Sequence, residues 1–261
     1  MDIFKRFFQD IKIFREYITN SIATEMAVKY GRSYLGYAWW VLDPLLYMLI
    51  YVFVVSIVLG RGGPDFPVFV FSGLLSFRWA SQSISQCTMS ITSKRNVIGN
   101  VYIPKFVFPF IKTINNSFFF LISIVLLFIF LLIYKIPLTF HIFEFIPIFI
   151  VQYLFNLAVG LWMSHLGVYF YDVDKVLNVF LRMWYYVSPG LYTLDTVPEA
   201  LRPVLWLNPL TTMMVSSRNV FLYGESPVYL GLITWGLISI VIIYFGLKIQ
   251  YKFDRTYAKV L

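Results

Sequence analysis

Charged side chains are scarce in this chain of 261 residues. Asp, Glu, Lys and Arg together make up 13% of the sequence, against about 25% in a typical soluble domain. Hydrophobic residues make up 59%. A soluble fold could not cover its surface with so few charges, so the composition indicates a polytopic membrane protein.

Cysteine and histidine are rarer still. The single cysteine, Cys87, excludes an internal disulfide framework. His141 and His165 have no carboxylate or cysteine at metal-binding spacing. We therefore expect no metal site and no cofactor bound by this chain, with His165 acting as a hydrogen-bonded core residue.

Nucleotide-binding and ion-pumping signatures are missing as well. No G-x-x-x-x-G-K-[ST] pattern occurs, and the glycine-rich "GRGGPDF" contains no lysine. The acids cluster at the ends of apolar runs, as at Asp43, Asp172, Asp174 and Asp195, and form no chain across the membrane. ATP hydrolysis or ion-driven pumping by this chain alone is therefore not expected.

Long apolar runs are abundant. A transmembrane helix needs roughly 20 apolar residues, and six stretches qualify: 35–60, 67–92, 106–134, 145–170, 175–194 and 228–247. Sixteen of the 21 lysines and arginines fall on the side of the N-terminus, which predicts cytoplasmic termini. The net charge of +8 then reflects topology, and nucleic-acid binding is not expected.

Two further segments complete the predicted fold. Residues 1–18 form a basic amphipathic helix, and we divide the chain into an N-terminal segment, 1–30, and a transmembrane domain, 31–261. This helix lies in the membrane interface or packs on a partner. Residues 195–227 contain four prolines and apolar turns, which favours short external re-entrant or gate helices. The predicted fold is an all-α integral membrane protein with six transmembrane helices.

Aromatic residues form a stripe on the first span. Tyr37, Trp40, Pro44, Tyr47 and Tyr51 recur every three or four residues and lie within about 80° on a helix. The stripe runs about 21 Å, farther than an interfacial aromatic belt needs. It indicates either a surface that stacks against sugar rings or ordinary helix packing.

Polar residues mark the second span, and aromatic residues mark the fifth. Ser72, Ser76, Ser83, Gln86 and Ser90 share one face of the second span, which predicts a hydrated conduit or tight helix packing. The fifth span carries aromatic residues before the break formed by Ser188, Pro189 and Gly190: Phe180, Trp184, Tyr185 and Tyr186.

Arg78 is the most informative single residue of the second span. Its charge lies about 11 residues into an apolar run, and such arginines are functional candidates. It either grips a phosphate bidentately or is satisfied by snorkelling or by pairing with an external acid.

Four stretches together carry a resemblance. They are "KYGRSYLGYAWWVLDPLL", "FSGLLSFRWASQSISQCTMSITSKRNVIGNVYIPKFVFP", "YFYDVDKVLNVFLRMWYYVSPGLY" and "LNPLTTMMVSSRNVFLYG". Their content and order resemble ABC-2 type export permeases, particularly the branch that exports O-antigen, capsule and teichoic acid. Asp43 stands where such permeases often carry Asn or Glu.

The resemblance implies one half of a transporter in the bacterial inner membrane. Two copies would form the pore, two separate ATP-binding cassette subunits would hold ATP and Mg, and the substrate would be a polysaccharide on undecaprenyl diphosphate. The implied channel residues are Tyr37, Trp40, Tyr47, Tyr51, Trp184 and Tyr185. Arg78 and Arg61 would bind the diphosphate, and the N-terminal helix with Lys94, Arg95, Asn96 and Tyr102 would couple to the ATPase.

Two other functions stay open. An ABC-2 exporter of a small hydrophobic drug or lipid would share the fold but would not need a long aromatic stripe. A membrane enzyme acting on lipid-linked sugars would need paired acids or a metal cluster near the interface, and the sequence offers neither.

Overall fold

The computed structural model describes residues 3–31, 36–58, 60 and 62–260, and no strand occurs among them. At the N-terminal end, α1 spans Ile3–Ile13 and α2 spans Arg15–Gly31. The long helices that follow are α3 (Trp39–Val52), extended by a π-helical segment over Phe53–Val58, and α4 (Phe66–Thr88). A short helix, α5 (Arg95–Asn100), separates α4 from α6 (Val107–Ile133).

The second half of the chain again contains both long and short helices. α7 spans Phe145–Tyr169, and α8 spans Val173–Val187. Two short helices follow, α9 (Arg202–Trp206) and α10 (Pro209–Arg218), and a π-helical segment continues α10 over Asn219–Tyr223. The last helix, α11, spans Tyr229–Val260.

Length and composition mark some of these helices as membrane spans. Of the described helices, three are long and apolar enough to cross a bilayer, over Val107–Ile133, Phe140–Tyr169 and Tyr229–Tyr257, and Leu42–Val58 is a shorter apolar helix. Helices also lie at the other predicted spans, but α8 has only 15 residues. That is about 22 Å at 1.5 Å per residue, short of a bilayer core of about 30 Å. The molecule is an all-helical protein of membrane type, and the count of six spans stays a prediction.

α4 lies at the centre of the molecule, packed against α3, α6, α7, α8 and α10. Its Trp79 is buried and stacks on Phe120 of α6 and Phe149 of α7, at ring-centre distances of 4.2 Å and 4.9 Å. Gln152 of α7 donates a hydrogen bond to the Ser76 carbonyl at 2.6 Å. These contacts hold three helices in one register.

The N-terminal helices pack on the same chain. The Phe7 ring lies 5.0 Å from the Phe106 ring, and the Tyr251 hydroxyl donates to Asp10 at 2.9 Å. The apolar face of α1 meets α11 and the start of α6. The two expectations for residues 1–18, the membrane interface and a partner, did not include this contact within the chain. Phe8 and Ile13 remain exposed.

Candidate functional site

A groove of about 610 Å³ lies between α3, α4 and α8. We call it the tyrosine groove. Aromatic rings form one wall, with Tyr51 and Tyr185 5.3 Å apart and Tyr185 5.6 Å from Tyr186. The lining residues are Tyr47, Tyr51, Leu74, Phe77, Arg78, Ser81, Gln82, Ser85, Gln86, Asn178, Leu181, Arg182, Tyr185 and Tyr186.

The structure brings together three of the six predicted channel residues, Tyr47, Tyr51 and Tyr185. The side chains of Tyr37 and Trp40 lie outside the described part of the chain, as does Arg61 as a whole.

Trp184 is not a lining residue. Its indole N–H instead donates to the Asn208 side chain at 3.1 Å. Consecutive residues of a helix are turned by about 100°, so Trp184 faces away from the neighbouring Tyr185. The groove instead includes Tyr186, which is 66% exposed. Tyr186 was noted as an aromatic residue of the fifth span but was not predicted to line a channel.

The opposite wall is polar and comes from α4. Ser81, Gln82, Ser85 and Gln86 line it, and the Ser85 hydroxyl donates to Asn178 of α8 at 3.2 Å. The predicted row of serines lies elsewhere: Ser72, Ser76, Ser83 and Ser90 are buried between helices. The packing interpretation therefore describes the serines, whereas Gln86 of the same predicted row, and Gln82 beside it, line the groove.

Arg78 lies where α3 crosses α4. Its guanidinium forms an ion pair with Asp43 of α3 and lies 4.5 Å from the centre of the Tyr47 ring. Arg78 is thus paired with an acid, but with Asp43 of the first span and not with the external acid that was among the alternatives. Arg78 also lines a second cavity of about 350 Å³ between α3, α4 and α6, which we call the lateral cavity.

Four polar residues form a further cluster, which we call the Glu25 cluster. The Glu25 carboxylate of α2 accepts hydrogen bonds from Lys112 at 2.8 Å and Asn115 at 2.9 Å, and it lies 3.3 Å from the Lys94 ammonium. Burial pushes the pKa of Glu25 up, but the hydrogen bonds and charges of the two lysines outweigh it and hold the pKa below 4.5. The cluster therefore ties α2 to α6 and to the segment before α5.

The predicted coupling residues fall into two groups. Lys94 is engaged by Glu25, whereas Arg95, Asn96 and Tyr102 have exposed side chains. Lys105, close by, is buried, and its ammonium lies 3.8 Å from Asp254 of α11. A partner could therefore reach Arg95, Asn96 and Tyr102 without breaking either ion pair.

Sequence reasoning missed a polar clamp at the break after α8. Arg218 of α10 is 3% exposed, and its guanidinium donates to the carbonyls of Pro189 at 2.5 Å and Gly190 at 2.7 Å. Asn208 caps α10 and donates to the Ser188 hydroxyl at 2.8 Å. The signal was present in the sequence as an Asn-Pro pair at a helix start and a lone arginine ten residues later.

Among the residues that the structure describes, no group of three or more His, Cys, Asp or Glu side chains could hold a metal ion. His165 contacts the Tyr257 hydroxyl at 2.5 Å, and His141 contacts Glu144 at 3.0 Å. Both histidines thus have partners within the protein.

Comparison with known proteins identifies the family of this chain. Residues 16–222 match the family described as ABC-2 type transporter. The chain is 28% identical to the O-antigen export system permease protein RfbA of Myxococcus xanthus, over 92% of this chain and 93% of the relative. It is also 28% identical to RfbA of Klebsiella pneumoniae, over 94% and 93%. Identity to the polysialic acid transport protein KpsM of Escherichia coli is 25%, over 86% and 88%. Because the family match covers most of the chain, the protein belongs to the ABC-2 type transporter family.

Proposed function

We propose that this chain is the permease subunit of an ATP-driven exporter that carries a polysaccharide across the bacterial inner membrane. The observation that carries the proposal is the tyrosine groove, with rings on one wall and amides and hydroxyls on the other. It lies between helices α3, α4 and α8 of a membrane-type protein.

The chemistry of the groove suits sugars. Aromatic faces hold the C–H groups of pyranose rings, and phenolic hydroxyls offer hydrogen bonds at the ring edge. Gln82, Gln86 and Asn178 carry both donors and acceptors, which match sugar hydroxyls. Such contacts are individually weak and replaceable, and a conduit has to release what it binds.

The relatives support the same substrate class. Two of them are named as O-antigen export permeases and one as a polysialic acid transport protein, and each aligns with most of this chain. Their names describe polymers of sugars, whereas a drug exporter would have no need for a polar wall along α4.

The proposed assembly contains two copies of this chain and two ATP-binding cassette subunits. The ATPase would dock on Arg95, Asn96 and Tyr102, which are exposed, with Lys94 and the N-terminal helices behind them. Both termini would then be cytoplasmic. The substrate would be carried on undecaprenyl diphosphate, whose chain stays in the bilayer.

The test replaces the most exposed rings of the groove. We expect Tyr47→Ala combined with Tyr186→Ala to lower surface polysaccharide at least about tenfold in a host strain that depends on this chain, because each lost stacking contact is worth about 1 kcal/mol. Tyr47→Phe, which keeps the ring, should retain most export. Phe245→Ala is the matched control, since that ring is exposed on α11 and does not line the groove.

Assembly is measured in parallel by copurification of the ATP-binding subunit. Unchanged polysaccharide export in the double variant, with normal assembly, would refute the role of the groove. Loss of efflux of an apolar dye in the same variant, with surface polysaccharide intact, would favour the exporter of small hydrophobic molecules.

A further inference from the structure

Arg78 connects two cavities that lie on either side of α3. On one side it lines the tyrosine groove, and on the other it lines the lateral cavity. Gln82, one turn along α4, lines both as well. The guanidinium is therefore within reach of a group in either space.

The lateral cavity is lined by polar residues together with aromatic and aliphatic ones such as Trp79, Phe120 and Leu75. Its polar wall includes Asp43, Arg78, Gln82, Asn116 and Ser123. Its volume of about 350 Å³ equals that of about twelve water molecules at roughly 30 Å³ each. A phosphate or diphosphate group fits this space, and the side chains of the polar wall other than Asp43 offer it hydrogen-bond donors.

Asp43 controls the charge of this site. A guanidinium carries five N–H donors and no acceptor, so an anion is its natural ligand. In the present structure the anion is the Asp43 carboxylate. The Asp43 side chain is 46% exposed and that of Arg78 is 17% exposed, so the acid is the partner that can swing away.

Polar residues continue from this pair toward the Glu25 cluster. Asn116 donates to the Gln86 side chain at 3.2 Å, and Gln86, Lys94, Lys112 and Asn115 line a cavity of about 320 Å³ beside Glu25. The buried side-chain oxygens of Asn115 and Asn116 have no hydrogen-bond partner within the described residues. The Glu25 cluster contains two lysines and one glutamate, so it carries a net positive charge. The amide side chains of Gln86 and Asn116 connect this cluster to the region of Arg78.

We propose that the lateral cavity binds a phosphate group, with Arg78 as its cation and Asp43 as a built-in competitor that keeps the site closed until the phosphate arrives. The proposal rests on the proposed function, because the phosphate would be that of a lipid-linked substrate. A phosphate presents more charge and more acceptor oxygens than one carboxylate, so it can contact the guanidinium bidentately and displace Asp43. Asp43 pairs with Arg78 again when the phosphate leaves, which makes binding reversible.

Two substitutions should move phosphate affinity in opposite directions. Arg78→Gln removes the cation and its charged hydrogen-bond donors and should weaken binding at least about tenfold, which corresponds to about 1.4 kcal/mol. Asp43→Asn removes the competing charge at nearly constant shape and should strengthen binding several-fold. A purely structural ion pair predicts no gain of affinity from Asp43→Asn.

The experiment uses the whole chain in phosphatidylcholine nanodiscs, titrated with geranylgeranyl diphosphate. Quenching of tryptophan fluorescence reports binding, because Trp79 lines the cavity. Arg255→Gln is the matched control, since Arg255 is exposed on α11 and lines neither cavity. If Arg78→Gln alone fails to fold, the double variant Asp43→Asn with Arg78→Gln leaves no unpaired charge and should also lack binding.

The outcomes separate the possible sources of the phosphate. Competition by inorganic diphosphate would assign recognition to the phosphate groups themselves, and its absence would assign recognition to a lipid-linked phosphate. Equal affinity in wild type and the double variant, or weaker binding in Asp43→Asn, would overturn the proposal. Loss of export in the groove variants together with unchanged binding in Arg78→Gln would refute this site and leave the proposed function standing.

Discussion

The clamp formed by Arg218 gives the most quantitative prediction. Its guanidinium makes short hydrogen bonds to the carbonyls of Pro189 and Gly190, a longer one of 3.4 Å to Phe69, and lies 3.6 Å from the Phe69 ring centre. Arg218→Met keeps the apolar stem and removes the donors. Two bonds to a charged group are worth about 3–6 kcal/mol, and relief of the buried charge offsets part of this. We therefore expect a loss of about 3 kcal/mol in the free energy of unfolding.

Gly73→Ala perturbs the same contact from the other side. A Cβ at Gly73 would lie 2.5 Å from the Arg218 Nη2 atom and 3.3 Å from the Gly190 carbonyl oxygen. The methyl group would push the guanidinium off its carbonyl partners, so Gly73→Ala should reproduce much of the Arg218→Met effect. The double variant should lose clearly less than the sum of the single losses, because both changes break one interaction.

Thermal unfolding in detergent measures these effects. At about 2–4 °C per kcal/mol for a chain of this size class, a loss of 3 kcal/mol lowers Tm by roughly 6–12 °C. Gly236→Ala is the control, because a Cβ there would lie 3.5 Å from Val151, an ordinary contact. An additive double variant, or wild-type Tm in Arg218→Met, would refute the clamp.

Two further predictions concern α2 and α7. Glu25→Gln should lower Tm at neutral pH while Glu16→Gln, at an exposed site, should not. Because the folded state holds the pKa of Glu25 below 4.5, this stabilisation is present above that value and is lost as pH falls through the lowered pKa. Melts of wild type and Glu25→Gln should therefore differ at neutral pH and converge as pH falls through the lowered pKa of Glu25. A gap that stays constant over this range would contradict the ion-pair account. Gly167→Ala should reduce the yield of monodisperse protein sharply, because its Cβ would overlap the Thr88 backbone carbonyl, which cannot rotate away. Yields of Gly167→Ala equal to those of Gly236→Ala would contradict this steric prediction.

The general class of the fold could be predicted because it depends on composition. Few charges and long apolar runs indicate membrane helices whatever their partners, and helices lie within every predicted span. The proline-rich segment after α8 likewise contains short helices, α9 and α10. The extent of α8 was overestimated, since its helix ends at Val187, before the Ser188-Pro189-Gly190 break, and apolar residues beyond the break continue the hydropathy signal without continuing the helix.

The candidate site was predicted in part, because helical periodicity gives a face but not the neighbour of that face. Tyr47, Tyr51 and Tyr185 share the groove as the stripe predicts. The partner of Arg78 could not be assigned, since Asp43 is 35 residues away and the contact depends on how α3 crosses α4. Of the predicted polar row on α4, Gln86 lines the groove whereas the four serines are buried between helices, and periodicity alone could not separate these two environments.

Polar contacts between helices determine how the helices pack, for a physical reason. In a bilayer, lipid tails are as apolar as leucine, so burial of apolar surface does little to choose one helix register over another. Close packing at small residues and hydrogen bonds between helices remain as the discriminating terms. Gly73 and Arg218 join α4 to α10 and to the end of α8, Asp43 and Arg78 join α3 to α4, and Glu25 joins α2 to α6. The width of the tyrosine groove therefore depends on a few polar and small residues, and the apolar majority sets the class of protein without fixing where the rings meet.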